Sequence, residues 1–246
     1  MRIAVAGGTG LLGRKIVAEA ERRGHETTVL SRARGVDVAT GTGVAAALDG
    51  ADVLVDALSV DTLQPDTAVD FFERTTRALL DAAAAARVSH HLAVSIVGVD
   101  RAPHGYYAGK AAQERLVAAS EVPWTIQRAT QFHEFAQQMY ARAKIGPIHI
   151  APRMRTQPVA ADEVAARVVE VAEGGPVGRA RDLAGPREES LADMVQRYAR
   201  RIGTRLPVPA VSLPGAFGRA QRGGLLLPDA DADRGVTTFD EWLAAR

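Results

Sequence analysis

A glycine-rich segment at residues 7–13, GGTGLLG, restricts the path of the chain more tightly than any other part of the sequence. A short apolar run with β-branched residues, at 2–6, precedes it. A helical pattern over residues 11–23 follows, and Gly24 stands where that helix would stop. The sequence therefore predicts a strand, a tight glycine turn and a helix, in that order.

Three glycines of this segment recur at a spacing of three residues. Glycines at these points allow a tight turn, close approach of the backbone to a pyrophosphate and close packing of helix on strand, while the helix N-terminus offers free N–H groups. The spacing is G-x-x-G-x-x-G, whereas the simplest dinucleotide fingerprint is G-x-G-x-x-G, and a plain tight turn is the alternative. We predict a dinucleotide site with contacts from Gly7, Thr9, Gly10, Leu11, Leu12 and Gly13.

Predicted strands and helices alternate through the first half of the chain. The apolar runs predict strands at 27–31, 36–39, 51–58, 91–97 and 124–128. The helical patterns predict helices at 45–48, 67–87 and 106–120. Such alternation is typical of a parallel sheet covered by helices on both faces, so we predict a doubly wound α/β fold of the Rossmann type.

The character of the sequence changes after about residue 146, where prolines become frequent. Helices are predicted there at 162–173, 191–202 and 239–245. We expect one NAD(P)-binding Rossmann domain over residues 1–246, with a cofactor-binding part at about 1–130. Residues from about 131 to 246 would form a small substrate-binding cap with elements that return to the sheet. A plain structural extension is the alternative interpretation of this part.

Composition excludes several classes of function. The chain has 30 basic and 29 acidic side chains and a net charge of +1, which argues against a nucleic-acid or anionic-membrane partner. It contains no cysteine, so disulfides and cysteine-ligated metals are excluded. No apolar run approaches the roughly 20 residues that cross a bilayer. We expect a cytoplasmic protein with a small-molecule partner, and the oligomeric state stays open.

The end of the second predicted strand bears on the choice of cofactor. A carboxylate at this point binds the ribose 2′-hydroxyl of NAD, whereas arginine accommodates the 2′-phosphate of NADP. Here Ser31 and Arg32 end the strand, Arg34 follows, and no acidic residue occupies the position. A planar guanidinium suits a phosphate. NADP(H) is therefore the predicted cofactor, and a solvated arginine is the alternative.

Lysine is rare in the chain, with Lys15, Lys110 and Lys144 as its only members. Tyr106 lies four residues before Lys110, a spacing that puts both side chains on one face of a helix. A cation within about 4–6 Å favours a phenolate and lowers the pKa of tyrosine from its free value of about 10. Tyr106 is thus a candidate general acid or base on a substrate oxygen.

A second tyrosine and lysine, Tyr140 and Lys144, have the same spacing. Position separates the two pairs, because the helix with Tyr106 follows a strand that ends beside the predicted cofactor crevice. We predict a surface pair for Tyr140 and Lys144.

Ser95 lies near the end of the predicted strand at 91–97, where a hydroxyl could stabilise negative charge on the substrate oxygen. A serine satisfied by the backbone is the alternative for Ser95.

These segments together resemble an atypical short-chain dehydrogenase/reductase of the NmrA-like, NAD(P)-binding group. The resemblance covers residues 7–13, 30–32, 94–100, 106–110, 124–135, 159–164 and 239–243. It implies a catalytic triad of Ser95, Tyr106 and Lys110, in which Lys110 also holds the nicotinamide ribose. It further implies that Asp37 and Val38 contact adenine and that Leu58 and Ser59 pass the cofactor.

The family also contains members that sense NADPH without chemistry and members that reduce quinones without the tyrosine. Retention of the triad favours an NADP(H)-dependent oxidoreductase that transfers hydride to a carbonyl or quinone-like molecule. A non-catalytic NADP(H)-sensing protein is the alternative. The chain is short for an epimerase or dehydratase of the extended type, which makes that a minor alternative.

Three residues after the strand at 124–128 are candidates for substrate contact. Gln131, Phe132 and His133 stand where the chain should pass the nicotinamide. A histidine packed beside phenylalanines at the start of a helix is the alternative for His133. His90 and His91 have no metal-ligand spacing to other residues, so no metal site is predicted.

Overall fold

In the computed structural model, which describes residues 1–146, 148–204 and 206–246, helices flank a central parallel sheet. The strands are β1 Arg2–Ala6, β2 Glu26–Leu30, β3 Val53–Asp56, β4 His90–Ile96, β5 Trp124–Ala129, β6 Lys144–Ile145, β7 Ile148–His149, β8 Ala151–Pro152, β9 Arg155–Thr156, β10 Gly178–Arg179, β11 Leu183–Ala184, β12 Glu189–Ser190, β13 Ala210–Val211 and β14 Asp233–Arg234. The helices are α1 Leu11–Arg22, α2 Val44–Leu48, α3 Pro65–Ala85, α4 Tyr106–Ala118, α5 Glu134–Arg142, α6 Ala161–Gly174, α7 Leu191–Arg201, α8 Gly215–Gly223 and α9 Phe239–Ala244, with a 3₁₀ turn at Arg32–Arg34.

The central sheet has the strand order β2-β1-β3-β4-β5-β11-β14, with β10 also paired to β5. Its pairings are parallel. The chain runs outward from β1 to β2 and then in the other direction through β3, β4 and β5. The point where the order reverses therefore lies between β1 and β3, which is where such sheets bind ligands. The predicted doubly wound α/β fold is confirmed.

Alternation along the strands divides the core between the two faces of the sheet. Ile3 and Val5 of β1 pack with Ile16 of α1 and with α6 on one face. Ala4 of β1 packs with Leu79 of α3 on the opposite face. Because both faces are covered, the strands are apolar on both sides, as buried parallel strands require.

The helix α4 lies unusually close to α3. Gly109 makes this approach possible, because a Cβ at this position would lie 2.6 Å from the Ala68 carbonyl oxygen and 2.7 Å from the Phe72 ring. Gly105, at φ +56°, caps the start of α4. The first turn of α4 is thereby placed at the carboxyl ends of β3 and β4, beside the reversal point of the sheet.

The C-terminal part contributes both to the sheet and to a core of its own. The short strands β10, β11 and β14 lie at one side of the sheet. A separate apolar cluster joins α5, α7 and α9 through side chains that include Ala136, Met194 and Trp242. The assignment of cofactor binding to residues 1–130 and of substrate binding to 131–246 stays a prediction.

Most predicted elements are present within a few residues of their expected bounds, but one strand is wrong. Residues 36–39 form only an isolated bridge between Asp37 and Thr42. The glycines Gly35, Gly41 and Gly43 all have positive φ and turn the chain here. The sequence pattern does not predict helix α8, because glycines at both of its ends interrupt the helical pattern. Among the described residues, no helix has the length and apolar character needed to span a membrane.

Candidate functional site

The glycine turn between β1 and α1 has the geometry that a bound pyrophosphate requires. Gly7 has a φ of +80°, and a Cβ on it would lie 2.6 Å from the Ala57 carbonyl oxygen of the neighbouring β3 segment. The Gly10 amide donates to the Gly7 carbonyl oxygen at 2.9 Å. A Cβ on Gly13 would collide with that same carbonyl oxygen. Glycine is therefore demanded by space at both ends of the turn.

The N-terminus of α1 is open to an anion. Gly10 caps the helix without a side-chain hydrogen bond, and the first turn carries no acidic residue. Thr9 and Gly10 are exposed, whereas Leu11 is half-buried and Leu12 packs into the core. Free N–H groups and the positive end of the helix dipole thus point at the reversal point of the sheet. This geometry fits a dinucleotide pyrophosphate.

The end of β2 offers groups that suit a phosphate. The Ser31 Oγ is buried and has no hydrogen-bond partner among the described residues. Arg32 and Arg34 lie on the following 3₁₀ turn, and both are exposed. In the described ranges neither guanidinium forms an ion pair with a carboxylate. An unpartnered hydroxyl beside two unpaired cations fits a ribose 2′-phosphate.

The segments predicted to contact the adenine and to pass the cofactor lie on either side of the glycine turn, after β2 and after β3. The Asp37 carboxylate accepts a hydrogen bond from the Ala39 amide at 2.9 Å and orders the loop after β2. Val38 is buried in the core against α2 and α3, and Leu58 packs at the edge of the same cluster. Ser59 lies at the opposite side of the turn, near α4.

Tyr106 begins α4, and among the described residues its hydroxyl is hydrogen-bonded to Ser59 and not to Lys110. Its hydroxyl lies 3.1 Å from the Ser59 Oγ, and its ring packs edge-on against Phe72 at 5.5 Å between centroids. Burial raises the pKa of Tyr106 to about 12, and the Asp56 carboxylate adds to this rise, whereas the hydrogen bond with Ser59 opposes it. The expectation that Lys110 lowers this pKa is wrong for this arrangement, because the ammonium points elsewhere.

Lys110 is buried beneath α4 and points at the backbone of β4. Its Nζ donates to the Val94 carbonyl oxygen at 2.5 Å and to the side-chain oxygen of Gln113. It also lies 4.8 Å from the centroid of the Phe72 ring. Burial lowers the pKa of Lys110 to about 8, although the charges of Asp56 and Glu114 oppose this shift. The two predicted catalytic groups thus share a helix but not a hydrogen bond.

Two buried polar residues at this site were not identified from the sequence. Gln113 donates from its Nε2 to the Asp56 Oδ2 at 2.7 Å, and both residues are fully buried. The Asp56 Oδ1 in turn accepts from the Leu58 amide at 3.0 Å. A carboxylate inside the apolar run at 51–58 and an amide three residues after Lys110 were the signals available.

Ser95 lies on the face of β4 that α4 covers. It is 3% exposed, and its Oγ has no hydrogen-bond partner of good geometry among the described residues. Its neighbour Glu114 accepts two hydrogen bonds from the guanidinium of Arg128, at 2.7 and 2.8 Å. Burial opposes the charge of Glu114, but Arg128 holds the pKa of this carboxyl below its usual value. Ser95 is therefore placed beside a structural ion pair.

The predicted substrate residues after β5 lie in the packed interior. Gln131 donates to the hydroxyl of Tyr107 at 2.8 Å and accepts from the Thr156 hydroxyl at 2.6 Å. Phe132 packs beside α6, and its backbone forms a bridge with Val159. These contacts tie α4 to the C-terminal part. A role in substrate contact stays a prediction for Gln131 and Phe132.

His133 is fully buried at the start of α5. Its Nε2 lies 3.0 Å from the Thr237 carbonyl oxygen, and its ring packs against Phe239 and Trp242 of α9. Burial lowers its pKa below the usual value. In this conformation the ring offers no edge to a ligand, so its substrate role also stays a prediction.

The second tyrosine and lysine pair does not share a helix face. Tyr140 lies in the last turns of α5, which ends at Arg142, and Lys144 belongs to the following strand. The Tyr140 hydroxyl lies 2.8 Å from the Thr204 Oγ1, and its ring stacks on His149. The described ranges contain no cluster of three or more histidine or acidic side chains that could hold a metal ion.

Comparison with known proteins agrees with this geometry. The sequence model of a family described as NAD(P)H-binding matches residues 7–174, which is more than half of the chain. Among curated proteins, none matches the sequence significantly.

Solved structures share the fold at low sequence identity. An NADPH-dependent quinone oxidoreductase from Escherichia coli, complexed with NADPH, has a TM-score of 0.74 at 19% identity, over 99% of either chain. A nucleoside-diphosphate-sugar epimerase from Staphylococcus aureus has a TM-score of 0.71 at 18% identity, over 99% of either chain. A short-chain dehydrogenase/reductase superfamily protein from Agrobacterium tumefaciens with bound NAD has a TM-score of 0.69 at 18% identity, over 100% of this chain and 95% of that one.

Proposed function

The chain belongs to the NAD(P)H-binding family, and we propose that it is an NADP(H)-dependent oxidoreductase of the short-chain dehydrogenase/reductase type, acting on a carbonyl or quinone-like small molecule. The observation that carries this proposal is the position of Tyr106. Its hydroxyl lies at the carboxyl ends of the strands, on the helix that starts beside the glycine turn.

Preference for NADP(H) over NAD(H) rests on the end of β2. Ser31, Arg32 and Arg34 together supply a buried hydroxyl and two exposed guanidinium groups, with no carboxylate to bind a free 2′-hydroxyl. Structures of the same fold contain NAD in one case and NADPH in another, so the fold itself does not decide. The choice is assigned to these three side chains.

In the proposed mechanism the glycine turn and the N-terminus of α1 bind the pyrophosphate, and Lys110 meets the nicotinamide ribose. The nicotinamide cofactor, when bound, supplies a hydride to the substrate. Tyr106 donates its phenolic proton to the oxygen that becomes negative as hydride arrives. A nearby hydroxyl stabilises the same oxygen. The sequence assigns that role to Ser95, whereas the contact with Tyr106 favours Ser59.

The raised pKa of Tyr106 favours reduction over oxidation. At a pKa of about 12 the phenol stays protonated at neutral pH, which is the state that a proton donor needs. For a carbonyl substrate, transfer of its proton to the nascent alkoxide is still downhill, because an alkoxide is a stronger base than a phenolate. Alcohol oxidation would instead require the phenolate, which burial disfavours.

A non-catalytic NADP(H)-sensing protein is the second candidate. One observation favours it. Lys110 is hydrogen-bonded to Val94 and Gln113 and does not lower the pKa of Tyr106. A sensor needs only the cofactor site, so it would tolerate this arrangement. Epimerase or dehydratase activity is a minor candidate with no such observation in its favour.

A substrate panel separates the two main candidates. The protein is mixed with NADPH and with ketones, aldehydes or quinones, and the loss of NADPH absorbance is followed for wild type and for Tyr106→Phe. Oxidation of NADPH that depends on Tyr106 supports the oxidoreductase. Tight NADPH binding without oxidation on any compound, together with a protein partner gained or lost on binding, supports the sensor.

A further inference from the structure

A chain of buried polar groups runs beneath α4 and ends at Lys110. It starts at the Leu58 amide, passes through the carboxylate of Asp56 and the amide of Gln113, and reaches the ammonium of Lys110. Lys110 completes it by donating to the Val94 carbonyl oxygen. This chain connects the segment after β3 with α4 and β4, at the edge of the sheet where the cofactor would lie.

The chemistry of the groups fixes the orientation of the Gln113 amide. An ammonium can only donate hydrogen bonds, so the oxygen of Gln113 must face Lys110. The NH₂ group then faces Asp56, where an ionised carboxylate can only accept. Each member of the chain is satisfied by the next, and Gln113 is the member that can both accept from a cation and donate to an anion.

Gln113 also keeps the two charges apart. Among the described residues, Lys110 and Asp56 form no direct ion pair. A direct pair would occupy the ammonium with a strong, charge-assisted bond. With the amide between them, Lys110 uses two of its three N–H groups on Val94 and Gln113 and retains one for a further acceptor.

We propose that Gln113 and Asp56 are positioning residues that hold the Lys110 ammonium at the carboxyl end of β4 and reserve one of its N–H groups for the ribose of the nicotinamide half of the cofactor. This inference rests on the proposed function, in which Lys110 meets that ribose. It assigns a role to two buried residues that otherwise would have only a packing function.

Other charged or titratable groups face Lys110 from the packed elements around it. Asp56 faces it from β3, and Glu114 from the next turn of α4, but Glu114 is already paired with Arg128 and Arg179. Tyr106 lies one turn earlier on α4. From α3, the face of the Phe72 ring lies against the ammonium.

On β4, His91 is fully buried, and burial keeps its pKa below the usual value, so this ring is neutral near pH 7. Asp56 is therefore the negative charge that hydrogen bonds link to Lys110 through Gln113, and its effect on the Lys110 pKa exceeds that of Glu114.

Lysine-selective NMR tests the positioning role without any need for activity. The chain contains only Lys15, Lys110 and Lys144, so lysine-selective ¹³C labelling gives three side-chain signals, which Lys15→Arg and Lys144→Arg assign. Asp56→Asn removes the counter-charge with little change of shape. We expect the Lys110 signal to titrate at lower pH in Asp56→Asn than in wild type. An unchanged titration would overturn the role of Asp56.

Cofactor binding tests the role of Gln113. NADPH carries the nicotinamide ribose, whereas adenosine 2′,5′-bisphosphate carries only the adenosine half. Gln113→Met removes both hydrogen bonds at similar volume, and calorimetry should show NADPH binding weakened about tenfold with bisphosphate binding unchanged. The matched control is Gln127→Met, a fully buried glutamine of β5 that donates to the Arg128 and Arg181 carbonyl oxygens. It should change neither affinity.

The outcomes separate this inference from the proposed function. Equal weakening of both ligands, or of neither, in Gln113→Met overturns the positioning role. If wild type binds neither ligand, the proposed function fails, while the NMR titration still tests the coupling between Asp56 and Lys110. If Gln113→Met does not fold, Asp56→Asn is titrated with the same ligand pair, and NADPH-selective weakening is again the expected result. Equal affinities of Asp56→Asn and wild type for NADPH would then overturn the positioning role.

Discussion

The hydroxyl of Tyr106 lies 3.1 Å from the hydroxyl of Ser59, across the gap between α4 and the segment that follows β3. Ser95, the serine that the family resemblance implies in a triad with Tyr106, lies instead beside Glu114 beneath α4. Either the Ser59 hydroxyl or the Ser95 hydroxyl could assist proton transfer from Tyr106, and substitution of each serine separates the two hypotheses.

Ser59→Ala should lower kcat for NADPH-dependent reduction by about tenfold, because it removes the hydrogen-bond partner of the phenol at the reacting end. Ser95→Ala removes a hydroxyl of the same size from the same region and should have the smaller effect. Steady-state kinetics of the two variants provide the comparison. A larger loss in Ser95→Ala would return the role to Ser95.

Arg32→Ala should weaken NADP(H) binding by about 10- to 100-fold, because charge-assisted hydrogen bonds to a phosphate contribute about 1.5–3 kcal/mol. NAD(H) affinity should stay the same. Calorimetry with both cofactors measures this difference. Arg115→Ala, which removes an exposed arginine from α4, controls for the loss of one positive charge. Equal affinities for the two cofactors in wild type would contradict the phosphate assignment.

Gly13→Ala should abolish cofactor binding and lower the melting temperature, since the added methyl group would collide with the Gly7 carbonyl oxygen. The turn has to open to admit it, and overpacking of this kind costs about 1–3 kcal/mol. Gly174→Ala is the matched control, because a Cβ there meets nothing within 4 Å. Thermal unfolding and NADPH titration should leave this control close to wild type.

Lys110 gives the free energy of unfolding a defined dependence on pH. Burial lowers its pKa from 10.5 to about 8, so between these values the unfolded chain binds more protons at this residue than the folded chain. The free energy of unfolding therefore rises with pH between about 8 and 10.5. Below about pH 8 the folded protein bears the full cost of burying the charged ammonium. Relative to Lys110→Met, the free energy of unfolding of wild type should increase by about 3 kcal/mol as the pH rises from about 8 to 10.5. Parallel curves for the two proteins in denaturant titrations would contradict the shift.

Most of the fold can be predicted from local sequence patterns, namely the glycine turn and the alternation of strands and helices. Gly13 is required by its close approach to the Gly7 carbonyl oxygen within one strand–turn–helix unit, and Gly7 has a positive φ, so the spacing of the glycines predicts the turn. The false strand at 36–39 has a physical reason, because valines at 36 and 38 alternate like a strand while the glycines around them turn the chain.

The candidate site depends on side-chain direction, which the local sequence does not specify. The spacing of Tyr106 and Lys110 puts them on one helix face but does not say where the ammonium points. The ammonium donates to Val94 of β4 and to Gln113, and Gln113 donates in turn to Asp56, which is 54 residues before Lys110. These groups meet only through the pairing of β3 with β4 and the packing of α4. Likewise, nothing local to His133 reveals the ring of Trp242 that covers it.

The most direct test is the rate of NADPH oxidation in a single turnover, measured for Tyr106→Phe and Tyr107→Phe with a carbonyl or quinone that wild type reduces. Tyr107 is the matched control, since its hydroxyl is bound by Gln131 in the interior. The proposed mechanism predicts a loss of about 100- to 10,000-fold in Tyr106→Phe alone, with NADPH affinity unchanged. A Tyr106→Phe protein that oxidises NADPH at the wild-type rate would contradict it.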